Sequence, residues 1–271
     1  MTETIELGGI TLAYEEFGSG DPVVLAMGAG SPGRVWRAHQ VPALVAAGLR
    51  VIVFDARGVG GSSPCPEGFT FDDLTDDLAG LIEKVAQGPA HVVGTSLGAR
   101  VAQQLALHRP DLVNRLALLA TRGRPDAALT VFSQAQIALH DHNVALPTEA
   151  RAALGALANL SPASLRDEIE AEDWLAILGM TPATPSAGVR AQFAAALTGF
   201  PPSVSAFAGI TAPTLVVSFA DDRLSPPELG AEIADAVPGA RSEVVPDTGH
   251  FGYLERPAEV NRLLVDFLTG P

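Results

Sequence analysis

Three stretches of this sequence carry residue types that can do chemistry together. Ser96 lies in Gly94-Thr95-Ser96-Leu97-Gly98, a G-x-S-x-G turn between an apolar run from Ala90 and a helical pattern over Val101–Leu107. Asp221-Asp222-Arg223 follows the apolar run Thr214–Phe219, and Gly249-His250 follows Arg241–Val245. A serine hydroxyl is a weak nucleophile until a neighbouring base takes its proton, and that base needs an acid to orient it. Serine, aspartate and histidine, each just past a strand-like run and in that chain order, meet the requirement. On this reading either Asp221 or Asp222 supplies the acid.

For those side chains to converge, the runs before them must lie side by side, because reactive groups in open α/β sheets gather outside the carboxyl ends of the strands. The chain between them has that rhythm. Residues 1–17 alternate apolar and polar around Gly8-Gly9, a hairpin signal. Pro22–Met27 reads as an interior strand emptying into Gly28-Ala29-Gly30-Ser31-Pro32-Gly33, whose bare backbone amides make it a candidate anion cradle. A helix over Trp36–Ala47 and a strand over Arg50–Phe54 come next. In the turn Asp55–Ser62, Asp55 and Arg57 read as scaffolding that satisfies backbone groups and each other. Thr70 caps a helix with acids in its first turn, running to about Gln87, and Leu116–Ala120 is another strand.

The rhythm then changes. From 122 to 208 the sequence shows helical windows only, near Ala127–Asp141, Thr148–Leu157, Ser164–Leu178 and Ala187–Leu197, punctuated by prolines. Strand and helix resume with Thr214–Phe219, Pro226–Ala236, Arg241–Val245 and Pro257–Leu268. The expected fold is α/β, a doubly wound, mostly parallel sheet of about eight strands. Residues 1–121 and 209–271 would form its core, with 122–208 inserted as a helical cap. The strand-to-helix turn at Ser96 must be sharp, and Gly94 and Gly98 let strand and helix crowd there. Ser96 then stands at a helix N-terminus, where amide dipoles favour negative charge.

Composition bounds the function. A chain of 271 residues buries a sizeable core without disulfides, and its one cysteine, Cys65, suits a reducing cytoplasm. The N-terminus lacks the pattern of a signal peptide, and no apolar stretch approaches membrane-span length. A net charge of -14 repels nucleic acid and anionic membranes, so neither is expected as a partner; a small molecule is. The composition leaves the oligomeric state open. The histidines other than His250 have no zinc-site spacing, and Gly28-Ala29-Gly30 lacks the third glycine of a dinucleotide fingerprint.

Four motifs together resemble a known family over essentially the whole chain. They are Phe54-Asp55-x-Arg57-Gly58-x-Gly60-x-Ser62, Gly94-Thr95-Ser96-Leu97-Gly98, Asp222-Arg223-x-x-Pro226, and Gly249-His250 with Glu255-x-Pro257. The sequence is similar to α/β-hydrolase-fold enzymes, most of all the bacterial cofactor-free haloperoxidases with their esterase and perhydrolase relatives. The resemblance implies Ser96 as nucleophile, His250 as general base, Asp222 as the acid, and the backbone amides of Ala29 and Leu97 as the oxyanion hole. It implies hydrolysis of an ester or related acyl bond, with no cofactor and no metal. One departure is Met27-Gly28 where the family has His-Gly.

Arg100, one turn after Ser96 on the same helical face, has two readings. It is an ion-pair residue beneath the cap, or it clamps a substrate carboxylate. A menaquinone-pathway lyase branch of the fold carries an arginine at the matching place, so a lyase using the triad as base is the alternative activity. A non-catalytic binding protein on the same scaffold is the other. Gly28, Arg122 at the cap entrance and Trp174 in the third helical window complete the expected substrate contacts.

Overall fold

The computed structural model describes residues 1–270. The chain opens with β1 (Glu3–Leu7), β2 (Ile10–Phe17) and β3 (Pro22–Ala26), followed by α1 (Gln40–Ala46), β4 (Arg50–Phe54) and α2 (Phe71–Leu81). Next come β5 (Ala90–Thr95), α3 (Leu97–His108) and β6 (Val113–Leu119). Five helices intervene: α4 (Ala127–Asp141), α5 (Thr148–Asn159), α6 (Pro162–Arg166), α7 (Glu168–Gly179) and α8 (Ala187–Ala196). The sheet resumes with β7 (Thr214–Phe219), α9 (Pro227–Ala236) and β8 (Arg241–Val245), and the chain closes with α10 (Gly252–Glu255) and α11 (Pro257–Thr269).

All eight strands form one sheet in the order β1-β2-β4-β3-β5-β6-β7-β8. The β1–β2 and β2–β4 pairs are antiparallel and every other pair is parallel. Both faces of the interior strands are buried, which is why Val23–Ala26, Val51–Phe54 and Leu116–Leu119 read as unbroken apolar runs. Alternate residues serve opposite layers. Val24, Ile52, Val92, Leu116 and Val216 pack with α2, α3 and α9, while Val23, Val51, Val93, Ala117 and Leu215 pack with α1 and α11. This is the doubly wound α/β architecture that the strand–helix rhythm predicts. Among the described residues, no helix is long and apolar enough to cross a membrane.

Local differences from the sequence reading have local causes. The helix expected from Trp36 starts instead as a 3₁₀ turn, Gly33–Ala38, before α1. β6 begins at Val113 because Asn114 and Arg115 turn their polar heads to the carbonyls of Pro89 and Gly270. The window Ser164–Leu178 is broken at Asp167, whose carboxylate accepts the amides of Ile169 and Glu170 and starts α7 afresh. Arg57 does not pair with Asp55. It forks onto Asp77 at 2.6 Å through two donors, while Asp55 takes the amides of Gly33 and Gly61.

Candidate active site

The ends of β3, β5, β6, β7 and β8 open onto one cavity of about 1040 Å³, roofed by the inserted helices. Ser96 stands at its floor. At φ 52°, ψ −116° it has the backbone of the first central residue of a II′ turn, which costs any side-chain-bearing residue. Crowding imposes it. A Cβ on Gly94 would come within 2.5 Å of the Gly98 carbonyl oxygen, and one on Gly98 within 2.3 Å of that of Ala26. Strand and helix therefore touch backbone to backbone, and the Ser96 amide is tied to the Leu119 carbonyl at 3.0 Å.

His250 reaches the cavity from the loop after β8, and Asp222, on the loop after β7, is bonded to it without lining the cavity itself. The Asp222 Oδ2 accepts from His250 Nδ1 at 2.8 Å, with both side chains buried. Its Oδ1 accepts the amides of Leu224 and Ser225, each at 2.8 Å. A carboxylate with that set of donors acts as acceptor only, so the network places a proton on Nδ1, which in the neutral tautomer puts the lone pair on Nε2. Asp221 is elsewhere. Its amide binds the Thr248 carbonyl, and its side chain makes no hydrogen bond to His250.

The loop after β3 lies against the serine. A Cβ on Gly28 would sit 3.3 Å from Ser96 Cβ, and Gly28, Ala29 and Leu97 all line the cavity. Met27, the departure from the family pattern, is buried in the layer containing Trp36 and Tyr253. Met27 also lines the cavity.

Arg100 is buried under α8. It donates to the carbonyl of Ala196 at 2.6 Å and to that of Thr198, at the C-terminal end of α8, where a cation is favoured. Its guanidinium lies 3.6 Å from the Phe200 ring centroid and 4.7 Å from that of Phe71. Burial, and secondarily the charge of Arg122, push its pKa down to about 9, which still leaves it protonated at pH 7. Arg100 also lines the cavity, and it makes no ion pair: where one sequence reading expected a carboxylate partner, two helix-end carbonyls take its donors. Arg100→Met is therefore expected to destabilise the fold by roughly 2–3 kcal/mol, from the lost charge-assisted bonds and the two carbonyls left behind. Thermal denaturation checks this.

Arg122 lines the cavity with its Nη1 2.8 Å from Asp126 Oδ1 and its Nη2 3.4 Å from Ser225 Oγ. Trp174 is a correction. It does not line the cavity but packs on Phe251 and the small cluster of Ala152, Ala156, Leu160 and Leu178, because α7 lies behind α5.

Glu255, quoted in a motif but given no role there, is a residue that sequence reasoning missed. Buried, it accepts the Gly249 amide at 2.6 Å and the Ser161 amide at 2.8 Å, fixing the turn before His250 to the inserted helices. The Phe251 amide adds a bond to the Asn159 carbonyl at 3.0 Å. The available signal was the fixed spacing of Gly249-His250 and Glu255-x-Pro257.

Comparison with known proteins bears on the fold and the family. The family model of the α/β hydrolase fold matches residues 21–257. A Mycobacterium tuberculosis protein provisionally named non-heme bromoperoxidase BpoC is 45% identical over 263 residues, 96% of this chain and 98% of that one. Its crystal structure superposes with a TM-score of 0.89 over 94% of each chain. A protein of Variovorax paradoxus provisionally named carbamate hydrolase RutD is 31% identical over 95% of this chain and 96% of its own length. A thermophilic esterase from Thermogutta terrifontis, 28% identical, superposes with a TM-score of 0.83 over 99% of this chain and 98% of that one. By fold, by sequence and by family match, the chain belongs to the α/β hydrolase family.

Proposed function

We propose that the protein is a serine hydrolase that cleaves an ester or related acyl bond of a small organic substrate through an acyl-Ser96 intermediate. Family membership and relatives named as hydrolases support an enzyme of hydrolase type. The serine mechanism rests on one observation: the 2.8 Å bond of His250 Nδ1 to Asp222, at the edge of a cavity lined by both His250 and Ser96. In this reading Nε2 takes the Ser96 proton as Oγ attacks the carbonyl carbon. The tetrahedral oxyanion is held by the amides of Ala29 and Leu97. Collapse expels the leaving group, which takes the proton from His250 Nε2, and water repeats the sequence to release the acid. Hydrogen peroxide in place of water would release a peracid from the same acyl-enzyme.

Residues 122–208 act in this proposal as the cap over a core of 1–121 and 209–271. The protein would work in the cytoplasm, its single cysteine buried and free. The lyase alternative needs Arg100 to clamp a substrate carboxylate, and the donors engaged by Ala196 and Thr198 speak against it. The binding-protein alternative leaves the oriented Asp222–His250 pair without a purpose.

Incubation with a fluorophosphonate tests the proposal. Intact-mass spectrometry should show one adduct, mapping to the Ser96 peptide; no adduct would sink the acyl-enzyme reading. Substrate preference follows from the walls. Leu129, Phe132, Leu139, Leu146, Val189 and Phe193 line the cavity. Neutral p-nitrophenyl esters should therefore gain up to about fourfold in kcat/KM per added acyl methylene, the equivalent of roughly 0.8 kcal/mol each, until the cavity fills. A carboxylate-bearing analogue turned over better than its neutral counterpart would favour the lyase alternative instead.

A further inference from the structure

The buried face of α8 is built from Gly188, Ala191, Gln192, Ala195 and Ala196, so one amide side chain stands alone among small residues. A buried amide is costly unless both of its ends are bonded. Gln192 meets that requirement across the boundary between insertion and sheet. Its Oε1 accepts the Gly30 amide at 2.7 Å and its Nε2 donates to the Arg57 carbonyl at 2.9 Å. The orientation is unambiguous, since a flipped amide would set donor against donor at Gly30 and acceptor against acceptor at Arg57.

The helix itself is seated without slack. A Cβ on Gly188 would come within 2.1 Å of the Gly58 carbonyl oxygen, so helix and turn meet backbone to backbone. Val189 lies against Gly30, whose φ of 76° suits glycine. At the far end Arg100 binds the carbonyls of Ala196 and Thr198. α8 is thus held to the sheet domain at its start, its middle and its end, and the middle contact falls on the loop beside Ser96.

We infer that Gln192 is a positioning residue for the oxyanion site: by binding Gly30 N–H it orients the Gly28–Gly30 loop and leaves the Ala29 amide to face the nucleophile. Two successive amides, those of Ala29 and Gly30, would otherwise compete for the oxyanion. Gln192 consumes one of them and so selects the other. The insertion thereby takes part in the chemistry as well as roofing the cavity. The inference rests on the serine-hydrolase reading above.

The test compares Gln192→Leu and Gln192→Glu with the wild type, each normalised to active sites titrated by fluorophosphonate. Gln192→Leu should lose about 10- to 100-fold in kcat on a neutral ester with KM nearly unchanged, short of the 10²–10³ that outright loss of an oxyanion donor costs. Its affinity for an alkyl trifluoromethyl ketone should fall by the same factor. Ser96 Oγ adds to that carbonyl, its proton passing to His250, and the adduct's oxyanion needs the same donors. Gln192→Glu keeps an acceptor for Gly30 but sets a second acceptor against the Arg57 carbonyl, so it should recover only part of the lost kcat. A lowered melting temperature with wild-type kcat and ketone affinity would mark a purely structural residue and overturn the inference. So would a change confined to KM. If Gln192→Leu does not fold, Gln192→Asn, too short to span both loops, replaces it with the same expectations. A wild type that takes no fluorophosphonate adduct defeats the hydrolase reading and this inference with it; a labelled wild type with an unaffected Gln192→Leu defeats the inference alone.

Discussion

Ser96→Ala is expected to abolish fluorophosphonate labelling and to lower kcat on a neutral ester by about 10⁶, the cost of removing the serine from a triad that acts as a unit. The fold should survive. Alanine carries the same Cβ as serine and bears the same backbone strain at φ 52°. Ser96→Gly is the informative companion. It should be equally inactive yet more stable than Ser96→Ala by roughly 1–3 kcal/mol, because glycine relieves the strain that crowding by Gly94 and Gly98 imposes. Activity of either variant within a hundredfold of the wild type, with the substitution verified by mass, would remove Ser96 from the proposed mechanism. Equal stability of the two variants would mean that the turn stores no strain.

How much of this was legible beforehand follows from how local each cause is. The β5–Ser96–α3 turn shows in the sequence because two glycines, an apolar run and a helical pattern all lie together between Ala90 and Leu107. The sheet shows for the same reason, since its interior strands are buried on both faces and so are uniformly apolar. α4 has the span expected of its helical window, Ala127–Asp141, and the structure shows Asp126 capping it through the Leu129 amide.

The insertion beyond α4 is less regular. Ile169, Ile177 and Met180 are exposed, so apolar spacing there does not mark a buried face, and a window that read as one helix is two. Trp174, in the third helical window, is named by the sequence reading as a substrate contact. Which side of α5 it lands on is decided by helix packing alone. Glu255 and Gln192 were missed because their partners lie far away in the chain: Ser161 for the first, Gly30 and Arg57 for the second. A polar residue that bridges distant loops leaves no periodic trace. The one local sign was a lone glutamine on a helix face otherwise made of Gly and Ala.

The choice between Asp221 and Asp222 lies between these extremes, and it yields the second large effect. Both residues follow β7 directly, so spacing alone admits either. The fold separates them by using the Asp221 amide to bind the Thr248 carbonyl, while Asp222 is buried with Oδ2 on His250. Asp222→Asn should lower kcat by about 10⁴, as loss of the orienting acid does elsewhere. Here the backbone dictates the reason. The amides of Leu224 and Ser225 both donate to Oδ1, so an asparagine must keep its carbonyl oxygen there and turn its NH₂ towards His250. Nδ1 then has to accept, the imidazole proton moves to Nε2, and the lone pair that should take the Ser96 proton is gone. Asp221→Asn disturbs none of these contacts and should leave kcat within a few-fold of wild type. Ester turnover and the rate of fluorophosphonate labelling should fall together in Asp222→Asn, because both need an activated Ser96. If Asp221→Asn proved the crippled variant and Asp222→Asn the mild one, the acid would be misassigned. A fall in turnover without a fall in labelling rate would instead place the role of Asp222 after acylation.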